Sequence, residues 1–187
     1  MGMETPGVTM WLTGFSGAGK STIAKLVAQR LLQMNYRVEV LDGDEIRQHL
    51  SAGLGFSKVD RNINIRRIGF VCHLLSRNGI IAIAAAISPY RSVREELKQM
   101  IPNFLEIFVD CPLHICIKRD VKGLYAQAVQ GKIPAFTGIS DPYEEPLNPD
   151  LTIYSYKETA EISAQRVINL LSERGYIEPL QDRGKIK

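Results

Sequence analysis

Long hydrophobic runs, a strong charge of either sign and paired cysteines are all missing from this sequence, and each absence closes off a class. The longest apolar run, Gly79 to Ile87, is far too short to cross a bilayer. The N-terminus shows no basic segment followed by an apolar one, so no secretion signal is expected and a cytoplasmic location is. Lysine and arginine outnumber aspartate and glutamate by 23 to 20, and a net charge of +3 is too mild to imply a nucleic-acid partner. The three cysteines, Cys72, Cys111 and Cys116, are odd in number and match no C-x-x-C spacing, which favours packed free thiols in a reducing compartment. His49, His73 and His114 form no metal constellation and are expected on helix surfaces or partly packed. There is no internal repeat and no low-complexity segment. With 187 residues, one α/β domain covering 1–187 is the expected organisation.

What is present begins with Gly14-Phe15-Ser16-Gly17-Ala18-Gly19-Lys20-Ser21, which satisfies G-x-x-x-x-G-K-[ST] at every fixed position. Glycines let the backbone wrap a phosphate so that successive N–H groups and the next helix N-terminus face the anion. Lys20 supplies charge for the β- and γ-phosphates, and Ser21 a hydroxyl ligand for magnesium. The context agrees. Val8 to Thr13 reads as a buried parallel strand, and Ile23, Leu26, Val27, Arg30 and Leu31 mark the helical stripe that follows.

Further strands are expected at Arg37–Leu41, Ile80–Ala85, Phe104–Val109 and Leu151–Tyr154, with Ile80–Ala85 the most apolar and expected to be central. Helices are expected at Glu45–Leu50, Arg61–Arg77 with Asp60 as N-cap, Ser92–Met100, from Asp110-Cys111-Pro112 with Pro112 in the first turn, and along Ala160, Ala164, Val167, Ile168 and Leu171. Alternating strands and helices predict a mainly parallel five-stranded sheet flanked by helices. Arg119 to Asn148 differs in kind, with three glycines, three prolines and several aromatics expected to be exposed; it reads as a mobile lid or a plain surface loop. Residues 1–7 read as a flexible lead-in and 178–187 as a polar, frayed tail.

A phosphate-binding loop alone leaves kinases, GTPase switches, motors and regulators open. The chain is short for most motors and lacks an Asn-Lys-x-Asp guanine-reading motif, which leaves a small-molecule kinase as the leading class. Asp42-Gly43-Asp44 at a strand end offers two carboxylates at i and i+2, read as pointing to one side: Asp42 for magnesium and Asp44 for the acceptor hydroxyl, unless Asp44 only caps the next helix. Arg47, Arg61, Arg66, Arg67 and Arg91 lie near the expected ligand end, where planar donors suit an anionic acceptor, although such charges are usually a solvated face. Phe56 and Phe136 are aromatic where no core is expected and together can stack on a planar base.

These motifs occur in order with Asp-Gly-Asp-Glu-Ile-Arg, Leu-Gly-Phe-Ser, Asp-Arg-Asn-Ile-Asn-Ile-Arg-Arg, Ile-Ser-Pro-Tyr-Arg, Lys-Gly-Leu-Tyr and Phe-Thr-Gly-Ile-Ser-Asp-Pro-Tyr. In that combination the chain resembles the adenylylsulfate kinase (APS kinase) family from about Val8 to Tyr176. The resemblance implies a P-loop kinase fold of the nucleoside-monophosphate-kinase type and Mg-ATP as donor. It implies transfer of the γ-phosphate to the 3′-hydroxyl of adenosine 5′-phosphosulfate, and a homodimer. It places Arg47, Phe56, Arg61, Asn64, Ile87, Ser88, Lys122 and Phe136 in the acceptor site, with Asp44 near the 3′-hydroxyl. Arg119 is expected on the ATP side. The family is described with a phosphoserine at the position of Ser88, which makes Ser88 a candidate catalytic residue; but an unactivated serine is a poor nucleophile, and a substrate contact is the favoured role. A kinase for another small acceptor and a silent nucleotide-binding regulator are the alternatives. Asp120-Val121-Lys122-Gly123 departs from the more usual Asp-Pro-Lys-Gly and loses a rigid φ at the lid entrance.

Overall fold

Strand β1 (Val8–Thr13) is buried along its whole length, and its alternation explains how the molecule is layered. Val8, Met10 and Leu12 point to one side of the sheet and Trp11 to the other, as period-two geometry requires. The computed structural model describes residues 6–179, so most of the expected lead-in and tail lies outside it. The remaining strands are β2 (Val38–Asp42), β3 (Ile81–Ala85), β4 (Phe104–Asp110) and β5 (Leu151–Tyr154). Their order is β2-β3-β1-β4-β5, and every pairing is parallel.

On the Met10 side the sheet packs against α1 (Lys20–Gln33) and α7 (Ala160–Glu173), through Ile23, Val27 and Leu31 of the first and Ala164, Val167, Ile168 and Leu171 of the second. On the Trp11 side it packs against α3 (Lys58–Ser76) and α4 (Arg91–Met100), through Ile65, Ile68 and Cys72, and Val93 and Leu97. Both faces are covered, which is the condition for an all-parallel sheet. The shorter helices are α2 (Gly43–His49), α5 (Leu113–Arg119) and α6 (Leu124–Val129). No helix among the described residues is long and apolar enough to cross a membrane. All three cysteines are free and buried, and burial pushes the Cys72 and Cys116 thiols up to about 12.

Four expectations need correction. The middle strand is β1, with β3 beside it; both are buried on two faces, so hydropathy cannot rank them. The α3 cap is Ser57, whose Oγ accepts from Asp60 N–H at 3.1 Å and donates to Asp60 Oδ2 at 2.7 Å, so Asp60 sits one turn inside. Pro112 is the N-cap of α5 rather than a member of its first turn. The stretch 119–148 contains the short helix α6, and its aromatics are not exposed: Tyr125 and Phe136 are buried and meet edge to face at 5.1 Å. Glycine and proline content concealed a segment that packs its rings inward. The end of α3 is as expected, with Gly79 at φ 74° and Ile80 N–H returning to the Leu75 carbonyl.

Candidate active site

All parallel strands deliver their carboxyl ends to one edge, and the loops leaving β1, β2 and β3 converge there. The loop after β1 turns tightly because Gly14 sits at φ 147°, where a Cβ would come within 2.4 Å of the Val109 carbonyl oxygen. It ends at Gly19, the left-handed N-cap of α1. No side chain caps that helix and no acid stands in its first turn, so its N–H groups face an open space.

That space is a cavity of about 560 Å³. Of the loop residues expected to bind nucleotide, Ser16, Gly17, Gly19, Lys20 and Ser21 line it, and Gly14, Phe15 and Ala18 do not. Lys20 is buried, and its Nζ donates to the Gly14 and Phe15 carbonyls at 3.0 and 2.7 Å. Burial, reinforced by the Lys122 charge, pulls its pKa down to about 8, so the ammonium is held in an environment that favours an incoming anion. Arg119 donates to the Gly17 carbonyl at 3.3 Å and to the Ser155 carbonyl at 3.0 Å, on the same side of the loop.

Asp42 ends β2 and caps α2, its Oδ1 accepting from Asp44 N–H at 3.0 Å while Oδ2 accepts from Ser21 Oγ at 2.6 Å. Burial works against its charge, yet the hydrogen bonds from Ser21 and Asp44, with Lys122 and Lys20 nearby, hold it below the usual carboxylate range. The i, i+2 argument for a shared strand face does not apply, because Asp44 already lies in the first turn of α2. The turn nevertheless brings both carboxylates to the cavity, and Asp42 rather than Asp44 caps the helix. Asp44 is exposed and paired with Lys122, which reaches it from the 119–148 segment.

Arg47, Phe56, Arg61, Asn64, Ile87, Ser88 and Phe136 line the same cavity and form one wall of candidates. The Arg47 guanidinium lies 4.6 Å from the Phe56 ring centroid and donates to the Gly55 carbonyl at 2.7 Å. Arg61 is buried, donates to Phe56 O at 2.8 Å and Thr137 Oγ1 at 2.5 Å, and also reaches Ala135 O. Asn64 is buried with its Oδ1 unpaired, an acceptor available to a ligand donor. Arg66, Arg67 and Arg91 are not part of this wall. Arg66 pairs with Glu96 at the surface, while Arg67 and Arg91 donate to the Leu50 and Glu145 carbonyls.

Ser88 is buried at the base of the wall, and its proton is committed. Trp11 Nε1 donates to its Oγ at 2.9 Å, Ser88 donates to Thr13 Oγ1 at 2.9 Å, and Thr13 donates to the Ile87 carbonyl at 2.8 Å. No carboxylate or imidazole stands in that chain of bonds.

A model of the adenylylsulphate kinase family matches residues 6–154. The chain belongs to the adenylylsulfate kinase family. It is 55% identical over 177 residues to the adenylyl-sulfate kinase of Picosynechococcus sp. (strain ATCC 27264 / PCC 7002 / PR-6), covering 95% of this chain and all of that one. It is 54% identical over 175 residues to that of Rippkaea orientalis, covering 94% and 97%. Among solved structures, the Mycobacterium tuberculosis APS kinase in complex with AMPPNP and APS is similar with a TM-score of 0.86 and 44% identity, over 89% of this chain and 98% of that one.

Within this family frame, Tyr125 and Thr137 are among the cavity residues not singled out from sequence. Tyr125 Oη donates to the Ser16 carbonyl at 2.9 Å, tying α6 to the phosphate loop, and Thr137 holds Arg61. Both sit in quoted motifs, Lys-Gly-Leu-Tyr and Phe-Thr-Gly, but their contacts reach 109 and 76 residues away, beyond any local signal.

Proposed function

We propose that this chain transfers the γ-phosphoryl group of ATP to the 3′-hydroxyl of adenosine 5′-phosphosulfate, giving 3′-phosphoadenylylsulfate and ADP. One observation carries the reading: a single cavity is lined by the phosphate loop, by arginines and aromatic rings, and by Asp44. The loop amides, Lys20 and Arg119 hold the triphosphate. Arg47, Arg61 and Asn64 hold the anionic acceptor and its base, with Phe56 and Phe136 against the adenine. Ser21 and Asp42 present two hard oxygen donors 2.6 Å apart beside Lys20, a set that suits magnesium, which keeps several waters and takes the rest of its ligands from phosphates. When bound, the ion would neutralise charge on the phosphate oxygens.

In the transfer, the acceptor oxygen attacks the γ-phosphorus, the bond to the bridging oxygen of ADP breaks, and Asp44 receives the hydroxyl proton. Lys122 leaves Asp44 as the acceptor enters, and the 119–148 segment acts as the lid that excludes water. The deciding experiment incubates the protein with Mg-ATP and adenylylsulfate, AMP or gluconate and follows ADP release. Turnover with adenylylsulfate alone is expected; equal or greater turnover with another acceptor sinks the reading, and ATP binding without turnover marks a regulator.

Ser88 serves as wall rather than nucleophile, since its hydroxyl donates to Thr13 and no carboxylate or imidazole is among its hydrogen-bond partners. Ser88→Ala is expected to keep turnover within about tenfold of the native protein; a dead variant would instead require a phosphoserine intermediate. We also propose a homodimer. Val59 and Phe70 on α3 and Leu50 beyond α2 are exposed apolar residues, and Leu50 and Phe70 border a groove of about 330 Å³ with Ile63 and Val71. Sedimentation should show a dimer that Phe70→Glu converts to monomer; a native monomer would refute it.

A further inference from the structure

The mechanism above leaves one buried ion pair, Arg94 with Glu106, unused. Arg94 on α4 is 1% exposed and does not line the cavity, yet each of its three guanidinium nitrogens donates a hydrogen bond. Nε donates to Glu106 Oε1 on β4 at 2.8 Å, Nη1 to the Ser88 carbonyl at 2.5 Å, and Nη2 to the Glu144 carbonyl at 2.6 Å. Its carbon lies 5.8 Å from the Tyr143 ring centroid. Glu106 is itself 3% exposed; burial pushes its carboxyl up and Arg94 pulls it back.

A buried ion pair is weak support for net stability, because taking both charges out of water offsets most of their attraction. The two carbonyls say more about what this pair accomplishes. Ser88 holds φ 42°, a left-handed conformation that a non-glycine residue adopts only when its surroundings impose it. Glu144 lies where the 119–148 segment returns to the body. The two stretches are joined further by Glu144 N–H to the Pro89 carbonyl at 2.8 Å, Arg91 N–H to Glu144 Oε2 at 2.7 Å, and Tyr90 Oη to Asp141 Oδ2 at 2.6 Å. Tyr143, held in this joint, stacks obliquely on Phe15 of the phosphate loop at 4.9 Å and shares a hydrogen bond with Thr13.

We propose that Arg94 is a positioning residue for phosphoryl transfer. It holds the strained turn of the acceptor wall and the root of the covering segment in one fixed relation, so that the segment can close only onto a correctly formed acceptor site. This rests on the kinase reading given above. The planar fork reaches two carbonyls and a carboxylate from three separate nitrogens; a lysine ammonium keeps the charge and has three donors, but on a single nitrogen that lacks the fork's span.

The test compares Arg94→Lys with Arg94→Met/Glu106→Gln, in which both charges are removed with little change of volume. Three quantities are read: melting temperature, KM for adenylylsulfate against KM for ATP, and amide exchange at Glu144 and Arg91. The double variant is expected to melt near the native temperature, yet show KM for adenylylsulfate raised about 10- to 100-fold with KM for ATP within about twofold. Its Glu144 and Arg91 amides should exchange faster. Arg94→Lys should show the same split in KM, which covers the case of a double variant that fails to fold. A folded double variant, or a folded Arg94→Lys, with native KM values and native exchange overturns the proposal and leaves Arg94 as an ordinary structural ion. If the native protein does not turn over adenylylsulfate, the kinase reading fails separately, and the exchange measurement still decides whether Arg94 secures the joint.

Discussion

Replacing Asp44 with alanine is expected to lower turnover by about 10²- to 10⁴-fold, the range for loss of a positioned general base. The carboxylate lines the same cavity as the phosphate loop, Arg47 and Arg61 and is exposed, with Lys122 as its side-chain partner. The fold asks little of it, because Asp42 rather than Asp44 caps α2. Stability should therefore stay within about 0.5 kcal/mol of native, as for exposed positions without special roles. ATP affinity should also survive, since the loop amides, Lys20 and Ser21 are untouched. Rapid-quench turnover, thermal melting and ATP titration on one preparation check all three. Near-native turnover would remove Asp44 from the mechanism. Loss of ATP binding together with turnover would place it on the donor side.

Lys20→Met should separate activity from stability in the opposite sense. Turnover is expected to fall about 10²- to 10³-fold, as when one preorganised donor is removed from a transition state. The melting temperature, however, should hold or rise. The sign follows from the lowered pKa: burial disfavours the ammonium in the folded chain relative to the unfolded one, so a neutral side chain of similar length removes an unfavourable term. Lys20 makes two bonds to carbonyls of its own loop, and these offset only part of its burial. A variant both inactive and much less stable would show that Lys20 is a structural support of the loop. One inactive but equally or more stable would show a charge kept at a cost because the reaction needs it.

The same contrast runs through the way this site is encoded. Local rules carried the elements: β1 and β5 fall at the expected residues, α3 ends at the expected glycine, and the phosphate loop connects the expected strand and helix. Helical stripes, turn glycines and a full G-x-x-x-x-G-K-[ST] are properties of neighbours in sequence, so the chain alone determines them. It also brought Arg47, Phe56, Arg61, Asn64, Ile87, Ser88 and Phe136 together as candidates, because their motifs stand in family order, and all of them line one cavity. The strand order, with β1 in the middle, was decided by packing, since both candidate strands are apolar on both faces. Packing likewise turned Arg47 and Arg61 into the cavity while sending Arg66 to Glu96 and Arg91 to Glu145; in sequence all four look alike. It put Asp44 on a helix instead of a strand and turned the rings of Tyr125 and Phe136 inward. Arg94 went unnoticed in the sequence because its meaning lies in two carbonyls 6 and 50 residues away, and a backbone carbonyl has no sequence signature. Residue types and short spacings thus specify what chemistry is on hand, whereas direction, burial and partnership arise only when distant segments pack.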